Sequence, residues 1–116
     1  MAAPFVDPEH QGRFRSVSLF AGPPVREAID QGRADFVPVF LSDVPALFSS
    51  RRIPLDVAMV SLSPPDEHGL CTLGTSIDAA KSATENATII LAEINEQLPR
   101  TYGATVVPFD RVTAFV

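Results

Sequence analysis

The sequence predicts an α/β fold: an open, mostly parallel sheet with flanking helices, present as an incomplete domain. Three observations lead there. Two nearly continuous apolar runs, residues 55–62 and 88–94, have the length and composition of strands in a parallel sheet covered on both faces. Shorter apolar segments alternate with helical patterns in the order β-α-β-α-β-α-β, followed by a short β tail. That spacing suits βαβ units with right-handed crossovers. Each long apolar run ends in a polar loop, residues 63–69 and 95–103. Ligands collect at the carboxyl ends of such strands, so a site is expected where these loops lie.

Composition narrows the options. The chain has 116 residues, 46% hydrophobic and 20% charged, and a formal net charge of -5. This suits one globular core rather than a disordered segment. No basic stripe is present, which argues against nucleic acid. Cys71 is the one cysteine, so no intrachain disulfide forms, and the expected compartment is cytoplasmic. Residues 1–11 lack the pattern of a signal peptide, and no run approaches the roughly 20 apolar residues of a membrane span. No membrane partner is expected.

Taken in order, residues 1–13 are polar, with Pro4 and Pro8, and read as a flexible lead-in. A strand is expected over residues 15–20, with Val17, Leu19 and Phe20 as its apolar positions. Pro23 and Pro24 preset the first turn of a helix whose apolar face is Val25, Ala28 and Ile29, and Gly32 ends it. The next strand, residues 35–40, contains Pro38 and so reads as an edge strand or a bulge. Ser42 or Asp43 is expected to cap a helix with Pro45 in its first turn and Val44, Leu47 and Phe48 buried. Arg51 and Arg52 suit that helix's C-terminal dipole. Residues 70–74 can form a short extended piece. Thr75 and Asp78 have capping-box spacing, and Ile77, Ala80, Thr84 and Ala87 mark the buried side of the helix that follows. Residues 105–107 and 112–116 read as two short strands around Pro108, Phe109 and Asp110. The pattern stops in mid-strand at Val116, as expected of a piece cut from a longer chain.

The two loops hold the candidate chemistry. Ser63, Asp66, His68 and Gly69 either line a ligand pocket or form a Pro-Pro turn in which Asp66 bonds its own backbone. Neighbouring Asp66, Glu67 and His68 cannot converge as a metal site. In the second loop, Arg100 follows Pro99 and precedes Gly103. It either grips a carboxylate or phosphate or pairs with an acid of the fold. Glu93, with Leu91 and Asn95 on one strand face, is either a hydrogen-bonded structural group or a nucleophile. Cys71 reads as an inert small hydrophobe.

Ser63-Pro64-Pro65-Asp66-Glu67-His68-Gly69, then Leu73-Gly74, then Asn95 and Leu98-Pro99-Arg100-Thr101-Tyr102-Gly103, resemble the acetyl-CoA hydrolase/transferase family, which includes 4-hydroxybutyrate CoA-transferases. Gly32-Arg33-Ala34-Asp35-Phe36-Val37-Pro38, ahead of Leu41-Ser42, is similar too. Glu96, Leu98 and the Ala104-Thr105 pair depart from the family's usual residues. The resemblance places residues 14–116 in part of the N-terminal domain of a CoA-transferase-like fold. It implies movement of CoA between carboxylic acids, or hydrolysis of acyl-CoA, with a glutamate from the C-terminal half attacking the thioester. That half is not in this sequence, so no catalytic residue carries over.

By the same resemblance, Ser63, Asp66, His68, Gly69, Asn95, Pro99, Arg100, Thr101 and Gly103 form a substrate- and CoA-binding wall. No metal and no cofactor beyond acyl-CoA as substrate is implied. The expected partners are acyl-CoA, a short carboxylate and the missing catalytic domain or subunit. A chain lacking that half is expected to expose apolar surface and to form homo-oligomers. The alternatives are a non-catalytic α/β subunit that pairs with a separate catalytic chain, and a free-standing hydrolase using Glu93 or Ser63.

Overall fold

The protein's computed structural model describes residues 3–116 and divides into two compact units at Leu41/Ser42. In the first unit, β1 (Ser16–Ser18) and β2 (Ala34–Phe36) pair in parallel, Ser16 opposite Ala34, with α1 (Pro23–Asp30) between them in sequence. Pro23 and Pro24 occupy the first turn, where a missing N–H costs no helical hydrogen bond. Val25 and Ala28 are buried with Val6 and Ala34, and Ile29 packs at the margin, as the periodicity predicts. Gly32 then turns the chain at φ +71°.

Two strand expectations for this unit need correcting. β2 ends at Phe36 and never reaches Pro38, which has no N–H to extend a ladder. Val17 and Phe20 are exposed rather than core, because the inner side of the short β1 is lined by Ser16 and Ser18. Of the expected lead-in, Met1 and Ala2 lie outside the described residues. Pro4–Val6 and Pro8–His10 form 3-10 turns, and Val6 is buried.

The second unit contains α2 (Val44–Ser49), β3 (Val57–Leu62), β4 (Leu70–Thr72), α3 (Asp78–Asn86), β5 (Ile89–Ile94), β6 (Val106–Pro108) and β7 (Ala114–Phe115). Strands β3, β5 and β7 form one parallel sheet in that spatial order, with Val57 opposite Ile89 and Leu91 opposite Ala114. β4 and β6 pair antiparallel, Cys71 opposite Val107. Within this unit the strands therefore divide between two small sheets rather than one continuous one. Leu62, Cys71, Leu73, Ala92 and Val107 make the core, and Ala80 of α3 packs against it.

Helix starts in this unit differ from expectation. Asp43 occupies the N-cap of α2, but a preceding 3-10 turn (Leu41–Asp43) holds it in helical dihedrals, and its carboxylate makes no cap bond. The predicted capping box at Thr75 does not form. α3 begins three residues later, and Asp78 Oδ1 accepts the Ala79 N–H instead. Ser82 and Thr84 are the buried positions of α3, and Ser82 Oγ donates to Pro45 O of α2 at 2.8 Å. Arg51 ends α2 in the left-handed region, φ 58°. For a residue with a Cβ this costs about 1–2 kcal/mol.

The central sheet is covered on one face only. Ala58, Leu62, Ile90 and Ala92 are buried, while Val57, Met59, Ser61, Ile89 and Glu93 alternate onto the other side and are exposed. Met59 is 80% exposed and Phe115 59%. They line a shallow cavity of about 450 Å³ with Leu91, Glu93 and Val116. The expectation of cover on both faces is thus half met, because within this unit the face bearing Met59 meets no helix.

Candidate functional site

Both polar loops follow directly from parallel neighbours. Leu62 is opposite Ile94 in the register, so the chain leaves β3 and β5 side by side at the same end of the sheet. The Asn95 N–H donates to Leu62 O at 2.9 Å and continues the pairing one residue into the loop.

Asp66 joins the two loops. Its Oδ1 accepts the N–H groups of His68 (2.9 Å) and Leu70 (2.8 Å), and its Oδ2 accepts Arg100 Nη2 at 2.5 Å. Arg100 Nη1 donates to Leu70 O at 3.0 Å. The Arg100 fork is therefore turned onto a carboxylate and a carbonyl of the first loop, and Asp66 bonds its own turn. Gly69, at φ +72°, closes that turn by donating to Asp66 O. The two N–H bonds, together with the Arg100 charge, hold the Asp66 carboxyl below the usual carboxylate range.

A chain of buried hydroxyls lies beneath this ion pair. Ser63 Oγ accepts from the Thr72 N–H (3.0 Å) and from Thr72 Oγ1 (3.2 Å). Thr72 Oγ1 also accepts the Thr101 N–H at 3.4 Å, and Thr101 Oγ1 reaches Gly74 O and Thr105 Oγ1, both at 3.0 Å. Thr72 is fully buried and Ser63 and Thr105 nearly so. Removing one partner of a buried hydrogen bond strands the other. Thr72→Val is expected to lower stability by about 1–2 kcal/mol, read as a lower urea midpoint with unchanged slope.

Of the remaining residues, Asn95 forms a turn of its own, its Oδ1 accepting the Gln97 N–H at 2.9 Å. Pro99 and Gly103 are exposed, and Gly103 turns the chain at φ +88°. The His68 side chain is 74% exposed at the tip of the first loop, with Nε2 3.7 Å from Glu67. Glu93 is exposed on the uncovered sheet face, where it accepts a hydrogen bond from Ser61 Oγ at 2.9 Å. Cys71 is buried, and burial pushes its thiol pKa up. Sequence reasoning missed Thr72 and Thr105 as members of the site, since their partners lie far along the chain. It also missed Leu98 as an anchor: an added Cβ on Gly74 would lie 2.6 Å from Leu98 Cγ.

This is an α/β scaffold with two joined polar loops, the candidate site, at the carboxyl ends of adjacent parallel strands. The chain belongs to the acetyl-CoA hydrolase/transferase family, because the model of the Acetyl-CoA hydrolase/transferase N-terminal domain matches residues 4–114. It is 48% identical over 110 residues to a succinyl-CoA:acetate/propanoyl-CoA:succinate CoA transferase of Fasciola hepatica, covering 95% of this chain and 23% of that protein. It is 45% identical over 93 residues to a 4-hydroxybutyrate coenzyme A transferase of Clostridium kluyveri, covering 80% of this chain and 22% of that one. Among solved structures it is similar to RipA from Yersinia pestis, with TM-score 0.84, 25% identity, and 96% and 27% of the two chains covered. A 4-hydroxybutyrate CoA-transferase from Porphyromonas gingivalis aligns at TM-score 0.69 and 28% identity, covering 99% and 32%. The chain thus spans about a quarter of the length of these relatives. Among the described residues no helix is long and apolar enough to cross a membrane.

Proposed function

We propose that this chain is a portion of the N-terminal domain of an acyl-CoA:carboxylate CoA-transferase, of the acetate or 4-hydroxybutyrate type, and that its two joined loops form one wall of the acyl-CoA cleft. The observation that carries this reading is the Asp66–Arg100 bridge, which holds the loops after β3 and β5 together at the strand ends. Family membership and the reactions named for the relatives supply the chemistry.

Acyl transfer needs hydrogen-bond donors fixed where negative charge develops on the thioester oxygen. The N–H groups of Tyr102 and Gly103 make no backbone hydrogen bond among the described residues, so they are free to serve. Arg100 spends two of its five donors inside the fold, on Leu70 O and Asp66, and so pins the loop that carries Tyr102 and Gly103. His68, Asn95, Pro99, Thr101 and Gly103 supply the rest of the wall.

The attacking carboxylate comes from outside this chain. Ser63 is buried and hydrogen-bonded to Thr72, which suits a structural role rather than attack on a substrate. Glu93 faces the uncovered sheet surface beside Ser61 instead of joining the loops. That exposed apolar surface favours a chain completed by more protein, either in one longer polypeptide or as a subunit beside a separate catalytic chain. The 116-residue chain alone is therefore expected to transfer no CoA from acetyl-CoA to succinate. Turnover by the purified chain that disappears in Glu93→Gln would overturn the assignment of the nucleophile.

A further inference from the structure

The first unit holds a second feature that the two-loop site does not use. Arg13, Arg15 and Arg33 surround a polar cleft of about 400 Å³, together with Gln11, Gly12 and Gly32. This volume lies within the roughly 300–1,000 Å³ of small-molecule sites. The gathering stands out in a chain with nine Lys and Arg residues and a net charge of -5.

The three guanidiniums are held differently. Arg15 closes both ends of its fork on Asp35 at 2.6 Å, and its Nη1 reaches Gly32 O at 3.3 Å. Arg33 is fixed by neutral oxygens: Gln31 Oε1 at 3.0 and 2.8 Å, and Val6 O. Gln31 is steadied in turn by Glu27 at 3.0 Å. Arg13 has no side-chain partner among the described residues. Of the three cations, only Arg15 is ion-paired among the described residues, with Asp35, and Asp7 lines the adjoining hollow beside Arg33. No carboxylate lies within 4.0 Å of Arg13 or Arg33 among the described residues.

We propose that this arginine-lined cleft binds the phosphate group of a small molecule, with the Arg13 guanidinium, unpaired among the described residues, as the fork that closes on the anion and Arg33, held by Gln31 and Val6 O, adding a fixed charge and its remaining Nη N–H groups. A phosphate monoester carries about −1.5 to −2 at pH 7 and three acceptor oxygens, more charge and more acceptors for these guanidiniums than a single carboxylate offers. Planar guanidinium forks match phosphate oxygens in pairs. The proposal uses the first unit alone and does not depend on the cleft-wall reading.

The test is a titration of the ¹⁵N-labelled chain at constant ionic strength in chloride, following the Arg13 and Arg33 Nε–H signals. Separate arms use inorganic phosphate, adenosine 5′-monophosphate and adenosine. Saturable shifts with inorganic phosphate and the nucleotide at equal affinity identify free phosphate as the ligand. Tighter binding of the nucleotide, with adenosine silent, identifies a phosphorylated small molecule. Arg13→Ala, which removes no hydrogen bond or ion pair among the described residues, is expected to leave the melting temperature unchanged and to weaken binding about tenfold or more. Arg13→Lys keeps the charge but loses the planar fork, and is expected to weaken binding as well. The proposal fails if neither phosphate compound shifts these signals saturably, if adenosine alone does so, or if Arg13→Ala binds phosphate as tightly as the parent chain.

Discussion

Gly74→Ala is expected to lower the stability of the folded chain by about 2–5 kcal/mol. Two costs add. Gly74 sits at φ +61°, and a residue with a Cβ held in the left-handed region costs about 1–2 kcal/mol. The new methyl would also lie 2.6 Å from Leu98 Cγ and 2.7 Å from Leu98 Cδ1. Leu98 cannot simply swing a tip aside, because the contact reaches its branch carbon. The loop carrying Pro99 and Arg100 must then shift, and such overpacking typically costs about 1–3 kcal/mol. Gly69→Ala is the matched control. Gly69 has φ +72°, and nothing lies within 4 Å of an added Cβ, so only the backbone cost applies. Urea unfolding of both variants isolates the Leu98 contact. Equal losses for the two would show that Leu98 does not anchor the second loop on Gly74.

Asp66→Asn is expected to unpin the first loop from the second. The amide keeps the size of the side chain but removes the charge that faces Arg100 and weakens the acceptor for two N–H groups. The His68 and Leu70 amides should exchange with solvent about tenfold faster or more, while those of Ile90 and Ala92 in β5 keep their protection. The effect depends on pH with a definite sign. The Asp66 carboxyl titrates below the usual carboxylate range when folded, so its contribution is complete above the unfolded value, near pH 4. It is lost as pH falls through the lower folded value. The stability gap between parent and Asp66→Asn should therefore be widest at neutral pH and close progressively below about pH 4. A gap that stays constant down to pH 2 would mean that the charge at Asp66 contributes nothing.

Much of this architecture was legible because local chemistry decides it. Two adjacent prolines and the spacing of Val25, Ala28 and Ile29 specify α1, and uninterrupted apolar runs specify β3 and β5. Gly69 and Gly103 marked turns that do take positive φ. Local reasoning failed where distant groups compete. Thr75 has the spacing of a capping residue, yet α3 starts at Asp78. The apolar character of Val57, Met59 and Ile89 predicts burial, but burial requires an element this chain does not place there. Within the site, both readings of Asp66 and Arg100 could be written down beforehand. Choosing the ion pair needed the register that brings residues 34 positions apart to 2.5 Å. The hydroxyl chain through Thr72, Thr101 and Thr105 has no sequence signature, because isolated threonines look alike until the fold brings them together.

The most direct measurement is the amide spectrum of the ¹⁵N-labelled chain titrated with acetyl-CoA. If the two joined loops are a wall of the acyl-CoA cleft, the shifted amides will cluster at residues 66–70 and 95–103, with Tyr102 and Gly103 among the largest. Saturable binding that leaves both loops unmoved would contradict the account.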